Sequence, residues 1–239
     1  MRLPLSWETW LDRYISFKEF YAKLDEFVSN QEPVIPDKSL IFNVFHRMRP
    51  EEVNCVLFGE DPYPRITSAN GIAFWDQEIQ SWNDKTNGNS LKNILKAILI
   101  SKNEAVYNSS INQCRETAER IGFKTPPELF ESWLGQGVFL VNVSLTFSSA
   151  AAKKAHFDFW KPFHSAVIHS LNIRTKSPYY ILWGRKAQKW EETILKTIAQ
   201  PSKIIKQGHP TFIHQFLNPA KPDYSPFTEL QKKTGIIWE

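Results

Sequence analysis

Residues 53–64 read VNCVLFGEDPYP, and the stretch closes a few positions later on ANGIAF, residues 69–74. A mostly apolar run over 53–58 that stops at Gly59 predicts a buried strand with an abrupt end. Asp61 then stands just past the carboxyl end of that strand, where open α/β sheets keep their chemistry. Pro62 removes a backbone donor and stiffens the turn. An Asp-Pro pair alone marks only a turn, so its weight depends on the rest of the chain.

Working outward, three more short apolar runs predict strands: VFLV at 138–141, YYILW at 179–183 and KII at 203–205. Each is followed by a polar loop, and helical patterns separate them. Leu91, Ile94, Leu95, Ile98 and Leu99 fall on one helical face, with Ser90 as the expected cap. Phe163, Val167, Ile168 and Leu171 predict a helix after Pro162. Trp190, Ile194, Leu195 and Ile198 predict another after Gly184, and Trp7 to Val28 a helical segment at the amino end. Alternating strands and helices imply an α/β fold in three layers, α/β/α, around a central, mainly parallel sheet of four strands. Residues 1–239 are expected to form one domain, and the polar segment 76–89 a long loop.

The net charge of +4 favours a polyanionic partner without identifying one. Lys153 and Lys154, then Arg185, Lys186 and Lys189, then Lys203 and Lys206 are all expected near the active edge of the sheet. The two cysteines, Cys55 and Cys114, lack metal-ligand spacing and read as reduced and structural. The opening MRLPLSWETWLDRY has charges early and no long apolar core, so neither a signal peptide nor a membrane span is expected. The expected location is the cytoplasm, or the nucleus in a eukaryote.

Four blocks resemble the uracil-DNA glycosylases of the main bacterial and nuclear family, in that family's order: GEDPYP with ANGIAF, SLKNI at 90–94, GVFLVNVSLT at 137–146 and GHPTF at 208–212. Softer matches at 35–45, 181–189 and 235–239 extend the resemblance over about the whole chain. It implies hydrolysis of the N-glycosidic bond of a uracil flipped out of DNA, the start of base-excision repair, with no metal or cofactor. Asp61 is then the carboxylate facing the cationic sugar, and His209 the donor to the departing base. Phe74 stacks on the base, and Asn142 reads its edge with one donor and one acceptor. Tyr63 excludes the methyl of thymine. The backbone of Glu60 lies beside the base. Ser90 and Thr211 grip phosphates, Pro64 belongs to the same DNA-contacting set, and Ile213, with Phe212 beside it, falls at the position that wedges into the base stack.

Departures from the family pattern cluster around Asp61. Glu60 replaces a glutamine, placing a second carboxylate beside the first. Pro64 replaces a histidine, and the loop after His209 lacks the usual second proline and leucine. These changes keep two other readings open: the same chemistry on a modified or bulkier pyrimidine, as in foreign DNA, or a catalytically weak DNA-binding or scaffolding homologue. The expected partner is DNA, single- or double-stranded, and the expected state a monomer. The sequence identifies no inhibitor protein or replication partner.

Overall fold

Four parallel strands stand in the order β2-β1-β3-β4: β1 (Cys55–Gly59), β2 (Val138–Asn142), β3 (Tyr179–Trp183) and β4 (Ile204–Gln207). This computed structural model describes residues 1–85 and 88–239. Every residue of β1 and β2 is buried, which is why both strands read as near-continuous apolar runs. Around the sheet lie α1 (Leu5–Leu11), α2 (Phe17–Ser29), α3 (Asn43–His46), α4 (Asn89–Ser101), α5 (Ile111–Arg120) and α6 (Pro126–Gly135). They are followed by α7 (Lys153–Asn172), α8 (Gly184–Gln188), α9 (Glu191–Leu195), α10 (Ile213–Phe216) and α11 (Pro226–Thr234).

Alternation along β3 separates two helical layers. The Tyr180 hydroxyl donates to Asn172 Oδ1 of α7 at 2.7 Å. Trp183 points the other way, its ring 5.1 Å from Phe216 of α10 and 6.0 Å from Phe227 of α11. The expected three-layer arrangement is therefore present, with a sheet that is parallel throughout.

Several element boundaries differ from the sequence expectation, each for a local reason. The amino-terminal segment is two helices, because Ser16 is extended and starts α2 afresh after a turn at Asp12–Tyr14. The helix expected after Pro162 begins ten residues earlier at Lys153 and carries Pro162 in its interior. One face of this helix, with Trp160, Phe163 and Val167, is buried, and that burial outweighs the cost of a proline inside a helix. The helix expected over 190–198 is shorter and preceded by α8. Ser90 does not cap α4; Gly88 holds that position and Ser90 sits in the first turn.

The fourth strand starts at Ile204, because Pro201–Lys203 form a 3-10 turn. Lys203 consequently lies at the amino end of the sheet, where its ammonium donates to Ser177 O at 2.6 Å. That is the edge opposite the one expected for it. Of the segment 76–89, residues 86 and 87 lie outside the described residues. Its apolar members Ile79 and Trp82 are buried, and Trp82 Nε1 donates to Lys124 O at 2.8 Å.

Trp7 ties the amino-terminal layer to the sheet. Its ring stacks on Phe139 of β2 at 5.2 Å, meets Phe45 edge-on at 5.1 Å and donates through Nε1 to Met48 O at 2.8 Å. Trp7→Ala is expected to lower stability by about 3–5 kcal/mol, read from the midpoint of a denaturant titration.

Candidate active site

The register pairs Gly59 with Asn142, so the loops that leave β1 and β2 start side by side. A Cβ on Gly59 would lie 2.2 Å from Asn142 Oδ1 and 2.8 Å from Ala73 Cβ. Only glycine lets the Asn142 amide lie across the end of β1. The pairing continues past the strands, with the amides of Val143 and Ser144 donating to the carbonyls of Gly59 and Glu60 at 3.0 and 3.1 Å. Ala73 N returns to Leu140 O of β2 at 3.0 Å and closes the loop on the sheet.

That loop carries the aromatic groups. Phe74 has a φ of +67°, a left-handed conformation that costs a non-glycine residue on the order of 1–3 kcal/mol. Two contacts hold it there: the Tyr63 hydroxyl donates to Phe74 O at 3.1 Å, and the Phe74 ring packs edge-on against Trp183 at 5.4 Å. Arg65 fastens the outer part of the loop, with Nη2 3.0 Å from the buried carboxylate of Asp76 and Nε donating to Ser68 Oγ at 2.9 Å. Pro64 is exposed at the rim.

His209 follows β4 and packs against Gly184, whose φ is +80° and whose missing Cβ would fall 2.7 Å from His209 Cβ. The Thr211 amide donates to His209 Nδ1 at 3.1 Å. An amide only donates, so Nδ1 carries the lone pair and the ring proton of the neutral imidazole is on Nε2. Burial holds the His209 pKa below its ordinary value; Glu60 pulls it up and Lys186 pushes it down.

The charges at the site form a compact group. Asp61 has a side chain only 14% exposed, and Lys153 Nζ lies 2.5 Å from its Oδ2 and 3.3 Å from Glu60 Oε1. Lys186 pairs with the same Glu60 oxygen. Burial raises the Asp61 carboxyl above the usual carboxylate range, Lys153 works against that, and the Glu60 charge adds to it. Burial alone would also raise Glu60, but Lys186 and Lys153 outweigh it and hold that carboxyl low.

Asp61, Tyr63, Phe74, Ser90, Asn142 and His209 all line one cavity of about 220 Å³. That is below the roughly 300–1,000 Å³ of drug-sized sites and suits a single ring. At its mouth the Ser90 and Thr211 hydroxyls are 2.6 Å apart, and Asn93 Nδ2 donates to Pro210 O at 2.6 Å. Among the described residues no side chain caps α4, whose first turn carries Ser90. Phe212 is 57% exposed. Ile213, expected at the wedge position, instead begins α10 and packs against the core. His156 and His164 are buried structural residues, the latter pushed by burial to a pKa of about 3, and His214 Nδ1 meets the Tyr107 hydroxyl at 2.7 Å.

A family model for the uracil DNA glycosylase superfamily matches residues 45–229. The chain belongs to that superfamily. It is 30% identical over 227 residues to a uracil-DNA glycosylase of Dictyostelium discoideum, a match covering 92% of this chain and 57% of that protein's length. It is also 30% identical over 229 residues to a uracil-DNA glycosylase of Exiguobacterium sibiricum, covering 92% of each. The crystal structure of wild-type UNG from Nitratifractor salsuginis superposes with a TM-score of 0.67 at 24% identity, covering 88% of this chain and 85% of that one, a likeness of fold.

Every residue that the sequence analysis placed at the base or the sugar thus lines the cavity of this superfamily member, and Ile213 is the one expected site residue that turns away. Sequence reasoning expected Lys153 near the active edge as one of several cations, and did not foresee its pairing with Asp61. No motif marks it, since it reaches Asp61 from the first turn of α7 across a loop of small residues.

Two measurements test the geometry. Gly59→Ala is expected to displace the Asn142 side chain and to cost about 1–3 kcal/mol through overpacking, seen as a lowered denaturation midpoint. Imidazole ¹⁵N spectra are expected to show His209 neutral and protonated on Nε2 at pH 6.5, where an unperturbed histidine is half charged.

Proposed function

We propose that this protein is a monofunctional uracil-DNA glycosylase, which removes uracil from single- or double-stranded DNA and leaves an abasic site. The reading rests on one observation above all: Asp61, Phe74, Asn142 and His209 meet at one ring-sized cavity in a member of this superfamily. Both relatives at 30% identity bear the name of this activity.

A cavity at the end of a rigid sheet cannot reach a base stacked inside a duplex, so the nucleotide must swing out, at a cost of a few kcal/mol. Stacking on Phe74 returns about 1–3 kcal/mol of that. The Asn142 amide offers a donor and an acceptor side by side, the complement of the uracil O4 and N3–H edge. Cytosine presents the reverse pattern and would leave the buried amide unpaired, which discriminates by about 10⁴ or more. The Tyr63 ring, held by its bond to Phe74 O, lines the same cavity, which supports its role in excluding a methyl group on the base.

Cleavage transfers the electron pair of the bond between the sugar C1′ and the base N1 to uracil. Positive charge develops on the sugar beside Asp61, whose carboxylate stabilises it and orients the attacking water. Negative charge develops on N1 and the adjacent carbonyl oxygen O2 of uracil, where the Nε2–H of neutral His209 donates a hydrogen bond. The water hydroxyl joins C1′, and its proton leaves through Asp61 or solvent.

No observation favours the readings that Glu60 and Pro64 left open. The Glu60 carboxylate is occupied by two lysines, and Pro64 lies at the exposed rim.

Oligonucleotides carrying uracil, thymine, cytosine or a bulkier modified pyrimidine test the reading directly. Uracil release is expected from the unsubstituted enzyme, with Asp61→Asn inactive but still binding DNA; undiminished release by Asp61→Asn would sink the assignment. His209→Ala is expected to reduce kcat by about 10²–10³. Because the ionised form of Asp61 is required and its pKa is raised, kcat/KM is expected to fall with decreasing pH through a value above 3.8, the ordinary value for aspartate.

A further inference from the structure

Lys153 presents a physical contradiction that points beyond the reaction itself. Its ammonium lies 2.5 Å from Oδ2 of the carboxylate that must face a cationic sugar. A cation held in that place cancels the field on which Asp61 depends and repels the charge that develops on C1′. Lys153 must therefore leave Asp61 before the bond breaks, and its surroundings are suited to that. Its side chain is 42% exposed and unbranched, and it rises from the first residue of α7. Glu60 Oε1 lies 3.3 Å from the same nitrogen, already balanced by Lys186. The Phe147 ring, 5.7 Å away, gives the ammonium an aromatic face to pass over.

We propose that Lys153 is an exchangeable counter-ion: it closes on Asp61 in the DNA-free enzyme and passes to a backbone phosphate of the bound strand when the flipped nucleotide enters. This rests on the glycosylase reading above and adds a residue that couples substrate binding to the charge state of the site. In the free enzyme two carboxylates, Glu60 and Asp61, face two ammonium groups, Lys153 and Lys186, and the group is neutral as a whole. Of the other titratable residues at the cavity, His209 is held neutral by burial, and burial raises the Tyr63 phenol above its ordinary value, so it too carries no charge. When a phosphate takes Lys153, the negative charge of Asp61 is left uncompensated at the moment the sugar arrives. DNA that contributes no phosphate at this point leaves Asp61 neutralised. Lys153 is thus a positioning residue that acts through Asp61.

Two readouts decide the matter together, the salt slope being the one that a lysine fixed on Asp61 would leave unmoved, each compared between the unsubstituted enzyme and Lys153→Met, with Lys153→Gln as a second variant. The first is the salt dependence of binding to a duplex carrying a 2′-fluorinated deoxyuridine, whose glycosidic bond resists hydrolysis. Loss of one phosphate contact is expected to make the slope of log K against log salt shallower by about 0.9. The second is the acid limb of kcat/KM, which reports the free enzyme. Without the ammonium, Asp61 protonates more readily, and the limb is expected to move to higher pH. Lys153→Arg should restore both, and Lys154→Met, on the exposed neighbour paired with Asp158, should leave the acid limb in place. An unchanged salt slope or an unmoved acid limb in Lys153→Met overturns the proposal. Absence of uracil release from the unsubstituted enzyme overturns the parent reading instead, and the salt slope on the same duplex still decides whether Lys153 reaches a phosphate.

Discussion

The site depends on one steric fact, the absence of a side chain at Gly59 where β1 pairs with Asn142 of β2. With a Cβ 2.2 Å from Asn142 Oδ1, the amide could not cross the strand end, and Ala73 would be displaced with it. Register in a sheet is set by which faces are buried, and a slip of one residue turns every side chain to the opposite layer. Because β1 and β2 are buried along their full length, that register is strongly specified. The placement of Asn142 is thus inherited from the core. The bond from Ala73 N to Leu140 O passes the same register on to Phe74.

Electrostatics impose the second constraint. Two adjacent acids at the end of a buried strand repel each other, and Glu60 read in sequence as a threat to Asp61. In the fold its charge is taken up by Lys186 and shared with Lys153, so it serves as the anchor of a balanced cluster. Lys186 has a second effect, since its charge counters the pull of Glu60 on His209. Burial then decides the state of the imidazole, which stays neutral next to a carboxylate. The same residue that departs from the family pattern thus arrives with the partners that make it tolerable.

What could be read from the sequence was whatever lies in short contiguous blocks. VNCVLF and VFLV announced strands because burial on both faces removes alternation. Asp61, Phe74, Asn142 and His209 were legible because each sits at a strand end or on the loop that follows, within a recognisable block. Contacts between distant segments were not legible. Lys153 approaches Asp61 from 92 positions away, and nothing local to either residue encodes the meeting. Pro162 looked like a helix start because proline is at home there, whereas packing around Trp160 and Phe163 carried the helix through it. Lys203 was assigned to the wrong edge because its nearness in sequence to His209 was read as nearness to the site, although a residue that opens or precedes a strand lies at the amino end of the sheet, a strand's length from the loop that follows. Phe212 and Ile213 could not be told apart by chemistry, since both are apolar; only the start of α10 shows which one turns inward.

The way the cavity is built bears on its selectivity. Its aromatic floor stands on a strained backbone at Phe74, and its wall at Tyr63 is fastened to that same residue. Its polar reader, Asn142, is fixed by a strand register, with no flexible loop to carry it. A pocket held this way does not adapt to a base of another shape at low cost, because relief at one wall disturbs a bond at the next. Discrimination then arises from penalties: an amide left unpaired by cytosine, or a ring struck by a methyl group, in a space too small to rearrange. The fixed recognition half contrasts with the charged half, where a half-exposed lysine is paired with the carboxylate. The protein thus fixes its reading of the base through backbone register and sets its charge balance through side chains alone.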